Sequence, residues 1–122
     1  MVIAEDDAVF RYTLKMIVQK QCEVVGEADD GAVAVELADE LRPDVILFDI
    51  SMPVMTGIEA ARLIRERLPG LRIIIGSNHT TFAYIEEAFR IGAQGYVFKG
   101  SALFQLPKAI QEALEGKVFR PA

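Results

Sequence analysis

The sequence predicts an α/β, doubly wound fold: a five-stranded parallel sheet with helices on both faces. Three observations carry this. Short apolar runs alternate with helix-period segments five times over, the connections between them are short, and two of the runs are near-continuously apolar, as strands covered on both faces are. Such alternation builds parallel strands joined by right-handed crossovers. A chain of 122 residues that is 52% hydrophobic has enough apolar surface for one sizeable core, and it shows no internal repeat, low-complexity tract or second domain.

The strand candidates are VIA at 2–4, CEVVGEA at 22–28, DVILFD at 44–49, RIIIGS at 72–77 and GYVFK at 95–99. The first helix is predicted over 8–20, where Phe10, Leu14, Ile17 and Val18 fall on one face. The second covers 31–41, with Val33, Leu37 and Leu41 at four-residue spacing, and stops before Arg42-Pro43 because the residue ahead of a proline disfavours the helical region. Thr56 and Glu59 have capping-box spacing and open the third helix, which Pro69-Gly70 closes. A fourth runs from about Thr81 to Arg90 with Phe82, Ile85 and Phe89 on one face, and Gly92 near its C-terminal cap. The fifth carries Leu103, Leu106, Ile110 and Leu114 before Gly116. Pro107 lacks the N–H a helix interior needs, so regular helix is predicted to begin only shortly before it, after an irregular first turn.

Charge narrows the function. Thirteen Lys and Arg stand against 18 Asp and Glu, a net charge of -5, which is the wrong sign for attracting phosphate backbones; this segment is not expected to bind nucleic acid. The single cysteine, Cys22, cannot form an internal disulfide and reads as a small buried or half-buried hydrophobe in a reducing compartment. No apolar run approaches membrane-spanning length, and the acidic start MVIAEDD is unlike a signal peptide, so a cytoplasmic location without membrane contact is expected.

In an open parallel sheet, ligands bind at the carboxyl ends of the strands. Here those ends carry Glu5, Asp6 and Asp7 after the first strand, Asp49 after the third, Ser77 after the fourth and Lys99 after the fifth. Any one acid could simply cap a helix or solvate a turn. Their convergence on one edge is harder to explain by packing, because clustered carboxylates repel and recruit a hard divalent cation such as Mg2+, while an opposed lysine suits a second, anionic ligand.

With these residues placed, the chain resembles the receiver domain of two-component response regulators. The motifs are the acidic pair Glu5-Asp6; DISMPVMTG, matching DxxMPxxxG; a hydroxyl residue after the fourth strand; and GAQGYVFK, matching GAxGYxxK, all in the family's order. The resemblance implies a flavodoxin-like (βα)5 fold with strand order 2-1-3-4-5, and a receiver over 1–117 followed at 118–122 by the start of a linker. It implies Asp49 as phosphoacceptor; Asp6, Asp49 and the backbone carbonyl of Ser51 as Mg2+ ligands; and Glu5 acting through a metal-bound water. Lys99 and Ser77 would contact the phosphoryl oxygens. Ser77 and Tyr96 would form a switch in which the hydroxyl moves toward the phosphoryl group and the tyrosine turns inward. Asp7 is left as a helix-terminal acid; His79, in the loop where the resemblance implies a variable residue that tunes dephosphorylation, reads equally as a solvated loop residue and is kept out of the site.

The implied phosphoryl donor is a sensor histidine kinase, with homodimerisation expected on phosphorylation. Lys99-Gly100-Ser101 departs from the Lys-Pro of many receivers and, with GKVFRPA, is similar to NarL/LuxR-type regulators. Their output is a helix-turn-helix DNA-binding domain, so control of transcription through an absent domain is expected, a stand-alone receiver being the alternative. Other readings are a phosphorylation-independent interaction module, a haloacid-dehalogenase-type phosphatase and a flavin carrier. The phosphatase wants an acid two residues after the nucleophile, where this chain has Ser51. The flavin carrier wants a Gly/Ser/Thr phosphate cradle where this chain is acidic.

Overall fold

The computed structural model describes residues 1–50, 52 and 54–121, with only the backbone of Leu103. Its elements are β1 (Val2–Ala4), α1 (Ala8–Val18), β2 (Gly26–Ala28), α2 (Gly31–Leu41), β3 (Val45–Asp49), α3 (Gly57–Arg67), β4 (Arg72–Ser77), α4 (Phe82–Arg90), β5 (Gly95–Phe98), a 3-10 turn (Lys99–Ser101) and α5 (Ala102–Leu114). The strands are parallel and ordered β2-β1-β3-β4-β5, the doubly wound order expected from the sequence.

Continuous apolar runs become intelligible once the sheet's two faces are separated, because successive side chains along a strand point to opposite sides. Val2, Ala4, Ile46, Phe48, Ile73, Ile75 and Tyr96 face α2, α3 and α4. Ile3, Val45, Leu47, Ile74 and Val97 face α1 and α5. Both sides of the central strands are thereby dry, and complete burial of each large aliphatic side chain is worth about 1.5–3 kcal/mol.

Helix starts follow local chemistry. Asp7 caps α1, its Oδ1 accepting the N–H groups of Val9 and Phe10 at 2.9 and 3.1 Å, and Asp30 caps α2 through the Val33 N–H at 2.9 Å. The capping box of α3 is formed: Thr56 Oγ1 accepts the Glu59 N–H at 3.2 Å, and Glu59 Oε1 accepts the Thr56 N–H at 3.4 Å. Thr56→Ala is expected to lower stability by about 1 kcal/mol. A urea midpoint identical to that of the parent would show that the box does not stabilise α3.

Several expectations are corrected. β2 is only Gly26–Ala28, because β1 offers three partners for pairing. Residues 22–25 instead cover the sheet's lower edge, where Val24 and Cys22 are half-buried; burial pushes the Cys22 thiol pKa up, away from the reactive thiolate. α1 ends at Val18 rather than residue 20. On α2 the buried face is Ala34, Val35 and Ala38, small side chains that permit close packing, while Leu41 is exposed. Phe82 is 75% exposed, so α4 meets the core only from Ile85 onward, and Leu114 is exposed on α5. α5 begins at Ala102, well ahead of Pro107. A proline there removes one intrahelical hydrogen bond, and burial of Ala102, Leu106, Ala109 and Ile110 against the sheet outweighs that loss. The irregular turn exists, but as the 3-10 turn at Lys99–Ser101. The side chain of Leu103 lies outside the described residues.

At the far end, the segment 118–121 returns to the sheet. Phe119 makes a parallel bridge with Gly95, so the stretch read from sequence as the start of a linker is docked over its described residues.

Candidate functional site

The carboxyl ends of β1, β3, β4 and β5 deliver the predicted residues to one edge. Asp49 is the last residue of β3, 5% exposed and in register with Gly76 on β4. Ser77 follows Gly76 and is almost fully buried. Glu5 continues β1 by one residue, donating its N–H to the Ala28 carbonyl at 2.9 Å. Asp6 sits beyond it, exposed. Carboxylate oxygens of Glu5, Asp6 and Asp49 all lie within 4.8 Å of one another.

Lys99 faces this cluster. Its Nζ is 2.7 Å from Glu5 Oε1 and 3.2 Å from Asp49 Oδ2, and lies 5.1 Å from the centroid of the Phe10 ring, a cation–π contact. Burial alone would lower the lysine's pKa, but Glu5 and Asp49 outweigh it and the net direction is upward. The ammonium is therefore held charged at neutral pH.

Glu5 has no exposed surface. Burial raises its pKa from 4.5 to about 7, against the opposing pull of Lys99, with Asp6 and Asp49 adding to the rise. Asp6 moves the other way, lowered by its hydrogen bond with Glu5. The two neighbouring acids are thus pushed apart, the buried one upward and the exposed one downward. Glu5 Oε2 accepts the Asp7 N–H at 3.1 Å, whereas Oε1 makes the close Lys99 contact without the angle of a hydrogen bond. A buried carboxylate oxygen with unused acceptor capacity, beside two further carboxylates, is the donor set a hard divalent cation such as Mg2+ takes. The residues present fit that ion.

The switch pair is also brought together. Ser77 Oγ accepts the His79 N–H at 2.9 Å, and the Tyr96 hydroxyl donates to the His79 carbonyl at 2.9 Å. Tyr96 is fully buried; burial raises its phenol pKa, offset in part by the Ser77 hydroxyl. The ring of Tyr96 points into the core, on the side facing α4.

The loop after β3 closes through the Gly57 N–H, which donates to the Ile50 carbonyl at 2.9 Å. Within it Val54 adopts a φ of 68°, a left-handed conformation that costs a residue with a side chain roughly 1–2 kcal/mol. Ser51, whose carbonyl was expected to meet the cation, lies outside the described residues, as does Pro53.

Sequence reasoning missed three participants. Phe10 lies against the Lys99 ammonium. Arg11 donates from Nη1 to the Glu5 carbonyl at 2.6 Å, fixing the backbone that carries the acidic pair. Tyr84 stacks on His79 with centroids 4.1 Å apart and planes 16° from parallel, so His79, kept out of the site on the sequence reading, is tied to α4 through its ring and to Tyr96 through its carbonyl. The one signal that could have found Tyr84 is its helical position five residues after a lone histidine.

Comparisons with known proteins agree with this geometry. Residues 1–111 match the response regulator receiver domain family. The chain is 35% identical over 121 residues to the transcriptional regulatory protein DegU of Brevibacillus brevis, covering 98% of this chain and 51% of that protein. It is 40% identical over 115 residues to the chemotaxis protein CheY of Thermotoga maritima, covering 93% and 92% respectively. Among solved structures, a LuxR-family two-component response regulator from Aurantimonas superposes with a TM-score of 0.92 at 33% identity, covering 97% of this chain and 86% of that one. The chain spans 51–56% of the length of the first four curated relatives.

Proposed function

Because the chain belongs to the response regulator receiver domain family of two-component systems, we propose that Asp49 accepts a phosphoryl group from the phosphohistidine of a sensor kinase. The observation that carries the reading is the meeting of three carboxylates with one held ammonium, Lys99 Nζ lying 3.2 Å from Asp49 Oδ2. β3 is buried along its whole length, so Asp49 is aimed by a rigid strand.

In the transfer, a bond forms between an Asp49 carboxylate oxygen and phosphorus. The phosphorus–nitrogen bond to the donor imidazole breaks, and its electron pair leaves with the imidazole. Asp6 and Asp49, with Glu5 beside them, would hold Mg2+, which would supply positive charge to the transferring oxygens. Lys99 exchanges part of its contact with Glu5 and Asp49 for a phosphoryl oxygen. Ser77, whose oxygen accepts from the His79 N–H and whose hydroxyl also interacts with Tyr96, turns its O–H to another phosphoryl oxygen. Phosphate on Asp49 biases the population of the inward Tyr96 placement.

Receiver domains of this family are signalling modules rather than enzymes, and here slow self-dephosphorylation is the only turnover proposed. Among the described residues, no helix is long and apolar enough to cross a membrane; a cytoplasmic protein is proposed. The relatives that are transcriptional regulators support an output on transcription in the full-length protein, with DNA contacted outside this acidic segment and homodimerisation following phosphorylation.

Incubation with Mg2+ and acetyl phosphate, followed by intact mass, is expected to show a single phosphoryl adduct that disappears in Asp49→Asn. Absence of any adduct on the parent protein, or equal labelling of the variant, would falsify Asp49 as acceptor. Omitting Mg2+ is expected to abolish labelling.

A further inference from the structure

We propose that Val118–Arg120 is an intramolecular latch that holds Tyr96 in its inward position and so biases the phosphorylation switch, a reading that rests on Asp49 and Tyr96 acting as proposed above. The latch pairs with the β5 edge in strand-like fashion through a single bridge, Phe119 to Gly95. The Phe119 N–H donates to the Gln94 carbonyl at 2.8 Å, and the Phe119 carbonyl accepts the Tyr96 N–H at 3.1 Å. Pro121 follows and has no N–H with which to extend the pairing.

The two faces of this segment are used differently. Phe119, the bridge partner of Gly95, packs against the α1/α5 side of the core. Arg120 is then the edge neighbour of Tyr96 and turns to the α4 side, as the alternation of a strand requires. There its guanidinium lies 4.2 Å from the centroid of the Phe89 ring, and Nη1 is 3.0 Å from Glu86 Oε1. Arg120 thereby lies across from α4 to the β5 edge on the side of the sheet that Tyr96 faces.

The Arg120–Glu86 pair is exposed and by itself holds little. What fixes the segment is the Phe119 burial and its two backbone hydrogen bonds. Their anchor is rigid: the Gln94 side chain accepts the Ile73 N–H at 2.9 Å and Arg65 Nη2 at 3.2 Å, tying the start of β5 to β4 and α3. From the latch, contacts run through Tyr96 to His79 and on to Ser77 beside the phosphoacceptor. Two sites that bias one two-state element are thermodynamically coupled in both directions. Phosphorylation therefore tightens the latch, and loosening the latch weakens binding of a phosphoryl mimic. Docked in this way, the segment also covers a sheet edge that would otherwise be open to pairing with another chain.

The experiment uses Arg120→Glu, which places a carboxylate against Glu86, and the charge-swapped double variant Arg120→Glu/Glu86→Arg. NMR of the unliganded proteins is read first. Arg120→Glu is expected to shift the Tyr96 ring resonances toward a solvated environment and to speed amide exchange at Tyr96, with the double variant returning both toward the parent. Titration with Mg2+ and beryllofluoride is read second: affinity is expected to fall about five-fold or more in Arg120→Glu, and beryllofluoride is expected to slow exchange of the Phe119 amide in the parent. Unchanged Tyr96 resonances in folded Arg120→Glu and Phe119→Pro proteins would overturn the latch. So would parental beryllofluoride affinity in both variants. A parent that ignores beryllofluoride would instead overturn the phosphoacceptor reading, and the Tyr96 resonances of the unliganded variants would still decide the latch. Phe119→Pro, which removes the N–H bonded to Gln94, is expected to reproduce the Arg120→Glu phenotype.

Discussion

Replacing Glu5 with glutamine is expected to stabilise the metal-free protein at neutral and mildly alkaline pH while weakening Mg2+ binding. Glu5 is fully buried and its pKa is raised from 4.5 to about 7. For an acid whose folded-state pKa is raised, the fold prefers the protonated form. The associated stability is complete below about pH 4.5, falls as the pH rises through 7, and is lost above it. A displacement of that size corresponds to up to about 3 kcal/mol. Glutamine keeps the shape and removes the titration, so the variant's urea midpoint in EDTA is expected to stay level between pH 5 and 8 while that of the parent declines. Lys99 does not reverse the sign: its pKa is raised too, so its contribution is fully present throughout that window. Mg2+ is expected to recover stability in the parent more at pH 8 than at pH 5, because binding requires Glu5 ionised, and the variant's Mg2+ affinity is expected to drop by about ten-fold or more. Parallel pH profiles for the two proteins would show that Glu5 does not carry the strain of this site.

The parts legible from sequence are those whose cause is local or periodic. β3 and β4 were readable because burial on both faces leaves continuous apolar runs, and the acids were readable because they stop those runs at one edge. The capping box of α3 lies within four consecutive residues, Thr56 to Glu59, and needs no tertiary information. What stayed hidden depends on chain segments far apart in sequence. The Lys99–Glu5 contact joins residues 94 positions apart, and no pattern near either one announces it. α5 was started too late because Pro107 speaks only for its own missing N–H, not for the burial gained by Ala102 and Leu106. The Phe119 bridge is a single pairing, too short for any periodicity. Tyr96 could be named as a switch aromatic by resemblance, but its rotamer is set by the His79 carbonyl, which sequence does not place.

Gly57→Ala is expected to damage both the fold and phosphoryl uptake, because the spacing of DISMPVMTG is a packing requirement as much as a chemical one. A Cβ on Gly57 would stand 2.2 Å from the Asp49 carbonyl oxygen and 2.9 Å from Ile50 Cα. Both are backbone atoms, so no rotamer change relieves the overlap. The loop must move, or β3 must, and either displacement lands on Asp49, the proposed phosphoacceptor. The same loop is confined from its other side: a Cβ on Gly31, at the start of α2, would lie 2.0 Å from the Met55 carbonyl oxygen. The segment between Asp49 and α3 is therefore pressed between two helix starts that approach it only because each begins with glycine. Overpacking of this kind costs typically about 1–3 kcal/mol, and more where backbone meets backbone. Misplacing a reacting group by about 1 Å can cost on the order of a hundred-fold in rate. The variant is therefore expected to unfold at lower urea and, at temperatures where it remains folded, to label with acetyl phosphate far more slowly than the parent. The Thr56→Ala variant separates the two effects, since it weakens the same helix start without entering the Asp49 contact. Labelling as slow in Thr56→Ala as in Gly57→Ala would assign the loss to stability; near-parental labelling in Thr56→Ala alone would assign it to the aim of Asp49.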